Sequence, residues 1–139
     1  MPKRNISASD LLSLAEKFEE VAEFYVGGLI CIERRHRPWR IQKITDVTEN
    51  SIMTESGFAY DPGTGSPLFE TKEHWLKPLT SARLQYVIVM EFLKASEKIK
   101  VNALTPEEIE GLLPAARAVL LLSEKMSKGQ HSRLLERRR

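Results

Sequence analysis

The sequence predicts an α+β fold organised around a small, strongly bent β-barrel. Between residues 26 and 60, apolar residues alternate with a period of two, β-branched and aromatic types dominate, and turn-formers separate the runs. On either side the apolar residues recur at helical spacing instead. A hydrophobic content of 42% suits a packed core, and no apolar run approaches the ~20 residues of a membrane span.

The barrel is expected over residues 26–79. Leu29 and Cys31 share one face of its first strand, and Ile30 and Ile32 share the other. Trp39 and Ile41 share a face in the second run, as do Ile52 and Thr54 in the third, which resumes as Phe58 and Tyr60. The alternation slips between Ile41 and Ile44, where one extra residue would form a bulge and turn a barrel corner. Thr48-Glu49-Asn50-Ser51 reads as a hairpin tip, since Asn tolerates the left-handed conformation. Asp61-Pro62-Gly63-Thr64 has Pro and Gly where a type II turn wants them. Leu68-Phe69-Glu70-Thr71 reads as a further strand, and residues 74–78 close the barrel, with Pro78 stopping the pairing.

Residues 1–25 hold an N-terminal helix that begins at Ser7 or Ser9. Leu11, Leu14, Ala15, Phe18, Val21 and Ala22 form its stripe, Ser7 and Asp10 resemble a capping box, and Gly27-Gly28 lets the first strand start. A helical hairpin is expected over 80–128. Its first helix spans roughly 82–98, capped by Thr80 or Ser81. Its second starts at Thr105-Pro106-Glu107-Glu108, kinks or restarts at Pro114, and ends at Gly129. Both are apolar over more than one face, so the hairpin is expected to pack on the barrel and to contribute to a homodimer. Residues 129–139 form a basic tail, frayed unless bound.

The net charge of +2 hides local clustering. Residues 34–43 hold five basic side chains and no acidic one. The run Glu33-Arg34-Arg35-His36-Arg37-Pro38-Trp39-Arg40 is expected to form the first long loop of the barrel. Planar guanidinium groups suit phosphate, and an aromatic beside them suits base stacking. The candidate binding residues are Arg34, Arg35, His36, Arg37, Trp39, Arg40, Lys43 and Tyr60, with Lys72 and Lys77 as extensions of the patch. Glu33 and Glu70 are placed to flank it.

Catalysis is not expected. His36, His74 and His131 fall in three different regions without metal-ligand spacing, and no nucleophile motif is present, so neither metal nor cofactor is implied. The single cysteine, Cys31, reads as a small buried hydrophobe in a reducing, cytoplasmic compartment. The start MPKRNISASD lacks the apolar segment of a signal peptide.

A pattern runs through this region: Val26-Gly27, an apolar strand at 29–32, a basic loop at 34–40, a strand pair over 44–48 and 52–54 with Gly57, then Phe58 and Gly63. It resembles short accessory proteins of bacteriophages and prophages over about a third of the chain. The resemblance implies an SH3-like barrel and a protein acting on host defence or replication machinery. Gly28 and the pair Ala59 and Asp61 depart from it, standing where charged or basic residues are usual. The expected function is non-enzymatic binding of a macromolecule, with nucleic acid first. The alternative is an inhibitor or adaptor of a host bacterial protein, acting through Trp39 and the helical hairpin.

Overall fold

In the computed structural model, which describes residues 6–21, 23–68 and 73–137 (the course of the helix alone over 130–137), the alternating stretch folds as an antiparallel sheet. Five strands form it: β1 (Leu29–Arg34), β2 (Arg37–Val47), β3 (Ile52–Thr54), β4 (Ala59–Tyr60) and β5 (His74–Pro78). Their order is β4-β3-β2-β1-β5. Three helices accompany them: α1 (Ala8–Lys17), α2 (Ser81–Ser96) and α3 (Pro106–Arg137). The α+β class is therefore as expected. A closed barrel is not found, because β4 and β5 stand as the two ends of the sheet. The expected strand over 68–71 lies largely outside the described residues, as do Ala22, Glu70 and Lys72.

The inner strands are buried on both faces, and this organises the unit. Ile30, Ile32, Ile44, Ile52, Tyr60 and Leu76 form one core. Cys31 and Ile41, paired across β1 and β2, point the other way into a second core with Leu11, Leu79, Leu84 and Val87. Ile41 and Ile44 thus occupy opposite faces, and no bulge is needed between them. The register shift lies one residue later, between Ile44 and Asp46, making Thr45 the extra residue. A polar chain completes the interior: Ser56 Oγ donates to Gln42 Oε1 at 3.0 Å and lies 2.9 Å from Thr54 Oγ1.

Helix α1 is shorter than its apolar stripe. Ser7 caps it, its Oγ accepting from the Asp10 N–H at 3.2 Å, but the chain turns extended at Phe18. Leaving the helix there carries the Glu20 carboxylate to the N-terminus of α2, where it accepts from the Ser81 N–H at 2.9 Å. Thr80 is the N-cap of α2, accepting from the Arg83 N–H. The Thr48 to Ser51 tip forms as expected, though by another device. Thr48 Oγ1 accepts from the Asn50 and Ser51 N–H groups, and no residue of the tip has a positive φ. Gly63 likewise has no positive φ, so the turn is not type II; Asp61 Oδ1 shapes it by accepting from the Gly63 and Thr64 N–H groups at 2.7 and 3.0 Å.

The chain divides into two compact units, Met1–Glu97 and Lys98–Arg139, a boundary inside the segment expected to be one hairpin. In the second unit the capping box of α3 is reciprocal. The Thr105 N–H donates to Glu108 Oε1 at 2.9 Å, and the Glu108 N–H donates to Thr105 Oγ1 at 3.2 Å. Contrary to expectation α3 neither restarts at Pro114 nor stops at Gly129; it runs to Arg137. Pro114 removes one backbone hydrogen bond, and the alanine- and leucine-rich turns around it favour helix strongly enough to continue.

Candidate functional site

The basic run forms no long loop. β1 continues to Arg34, β2 starts at Arg37, and Arg35 and His36 alone make the connection. Both have positive φ, 55° and 63°, the signature of a type I′ hairpin turn. Such turns favour Asn-Gly, because a side chain in the left-handed region is strained. Arg34 and Arg37 face each other across the ribbon, and like charges directly opposite are destabilising. The tip is thus built against its own stability.

Trp39 owes its position to a bulge. Glu33 pairs with Pro38 and Ile32 with Arg40, so Trp39 is an extra residue on β2, and Pro38 sits where the ladder is already irregular. The indole packs half-buried against the core containing Ile32 and Leu76. The Arg40 guanidinium lies over the ring at 3.9 Å from its centroid, and that of Arg34 at 5.3 Å. His74, opposite Arg34 on β5, brings its ring within 4.7 Å of Trp39 and stands edge-on to Phe58 at 6.1 Å. Such cation–π contacts are worth about 0.5–2 kcal/mol, enough to hold a guanidinium in place. Base stacking on the Arg40 side of Trp39 would require displacing that group.

The carboxylate nearest in sequence is already committed. Glu33 pairs with Arg83 of α2 at 3.3 Å, with 14% of its own side chain exposed, and Arg83 also donates to the Pro78 carbonyl at 2.8 Å. Among the described residues no carboxylate lies within ion-pair distance of Arg34, Arg35, Arg37 or Arg40. Arg34, Arg35, His36 and Arg37 are exposed, and Arg40 is half-buried. Beside them, a cleft of about 370 Å³ is lined by Ile6, Ser7, Ala8, Trp39, Arg40, Glu91 and Lys94.

Three expected members do not join the cluster. Tyr60 is a core residue, 1% exposed, and cannot act as a surface contact. Lys43 lies further along β2, where it shares a cleft with Asp10, Lys17 and Glu55. Lys77 pairs opposite Cys31, away from the tip. In exchange the fold supplies His74, which sequence spacing gave no means of finding. Cys31 is fully buried, and desolvation pushes its thiol up to about 12, which keeps it protonated and unreactive. Among the described residues no group of three or more His, Cys, Asp or Glu side chains is placed to hold a metal, and no helix is long and apolar enough to cross a membrane. Comparisons with protein-family models, with curated proteins and with solved structures give no match to this chain.

Proposed function

We propose that the protein is a non-enzymatic accessory protein of phage or prophage type that binds nucleic acid through the β1–β2 hairpin. One observation carries this reading: three exposed arginines gather at a strained tip, with Arg40 nearby over Trp39, and none has a carboxylate partner among the described residues. An anion supplied by a partner removes the Arg34–Arg37 repulsion and adds charge-assisted hydrogen bonds. An SH3-like small barrel is the platform we propose. Its support is the strand order, the division of β2 between β1 and β3, and the Leu76 N–H donating to the Gly65 carbonyl at 2.8 Å, which ties β5 to the loop after β4.

The test is fluorescence anisotropy with labelled DNA and RNA oligonucleotides across a salt series. Affinity is expected to fall steeply with salt, and Arg35→Asn with Arg37→Gln to flatten that slope by about two phosphate contacts. Asn is chosen at 35 because it accepts the left-handed backbone. An affinity indifferent to salt overturns the reading.

A second reading, an inhibitor or adaptor of a host protein, draws on α2. Tyr86, Val89, Phe92 and Leu93 are 39%, 54%, 38% and 47% exposed. One stoichiometric protein recovered from nuclease-treated bacterial lysate, and lost on Tyr86→Ser with Val89→Ser, would favour it over nucleic acid.

A further inference from the structure

The second unit, Lys98–Arg139, holds α3 and, among the described residues, only a short 3-10 turn at Val101–Ala103 besides it. No residue described over 98–129 is buried. Leu113, Leu120, Leu121, Leu122 and Met126 are each more than half exposed, and Ile109 and Leu112 are exposed as well. Ile109, Leu112, Leu113, Ala116, Val119 and Leu120 recur at i, i+3, i+4, i+7, i+10 and i+11, which sets them in one stripe along the helix. Helices in proteins draw most of their stability from covering such a stripe, and an exposed apolar patch of this kind marks a surface for association.

We infer that the stripe is covered by the same stripe of a second copy, with the two α3 helices antiparallel. The charges along the helix select that occupant. Residues 106–116 hold three acidic side chains, Glu107, Glu108 and Glu110, and no basic one. Residues 117–129 hold Arg117, Lys125 and Lys128 against Glu124, which pairs with Lys128 within the helix at 3.3 Å. A two-fold contact brings a surface against itself, so that surface must be its own complement. Set antiparallel, the acidic start of each helix lies beside the basic later turns of the other, and the helix dipoles oppose. Set parallel, like charges would meet at both ends. Ala116, within the stripe, is small enough to let the two helices approach closely. A foreign partner would have to bring this charge pattern, whereas a second copy has it by construction.

Sedimentation equilibrium of the full-length protein over about 1–100 µM is expected to show monomer and dimer in exchange. A monomeric mass throughout overturns the inference. Leu113→Ser with Leu120→Ser is expected to weaken the dimer by about tenfold or more, with helicity retained by circular dichroism. A dimer that survives this change, or is lost instead on Tyr86→Ser with Val89→Ser, lies elsewhere and overturns it too. For the antiparallel order, Glu107→Lys with Glu110→Lys, and separately Lys125→Glu with Lys128→Glu, are each expected to weaken self-association. An equimolar mixture of these two variants is expected to restore it. Unchanged self-association of either variant alone, or a mixture that recovers none, overturns the antiparallel pairing. None of these outcomes depends on nucleic-acid binding by the hairpin.

Discussion

Strand β2 ends in two turns, and they differ in what they are built to do. At the β3 end, Thr48 Oγ1 accepts from two backbone N–H groups and lies 3.0 Å from Ser51 Oγ, and every tip residue keeps an ordinary backbone. At the β1 end, two bulky residues are held at positive φ, and two arginines oppose each other. One turn satisfies its own polar groups. The other leaves Arg34, Arg35 and Arg37 exposed, with no carboxylate partner among the described residues. Such local strain persists only because the surrounding sheet holds it, and the contrast within one strand is what motivates the site proposed at that end.

A third turn sets the upper end of the scale. Gly65 has φ +76°, and an added Cβ would collide with the Leu76 carbonyl oxygen. Gly65→Ala is expected to cost about 3 kcal/mol or more, since neither backbone can yield without breaking the bond between them; urea unfolding measures it. At the arginine tip the sign reverses. Arg35→Asn with His36→Gly supplies the residues a type I′ turn wants, and is expected to raise stability by about 1 kcal/mol while nucleic-acid affinity falls. A loss of stability in that double variant would break the comparison. At the opposite tip Thr48→Ala is expected to cost about 1 kcal/mol, with affinity unchanged.

The smallest effect concerns pH. The Gly63 and Thr64 N–H groups beside Asp61 hold its carboxyl below the ordinary value of 3.8. The folded state therefore favours the ionised form. Its contribution is present above about pH 4 and is lost as pH falls through the lowered value. Asp61→Asn should abolish that part of the acid sensitivity, read as the difference between the two proteins' thermal midpoints across an acid series.

The sequence by itself determined the α+β class, the capped helix starts and the presence of a basic cluster, because these rest on spacing and on bonds between near neighbours. The Thr105 and Glu108 capping box is of that kind. Long-range partners were decided only in the tertiary structure. Spacing could not tell that Glu33 would be taken by Arg83, fifty residues away, leaving the arginines without a carboxylate partner among the described residues. Nor could it tell that Tyr60 would turn inward, that a bulge would seat Trp39 beneath two guanidinium groups, or that β4 and β5 would remain the ends of an open sheet. A strand's alternation says that two faces differ. Which of them meets solvent is settled by what packs against each, and that information lies elsewhere in the chain.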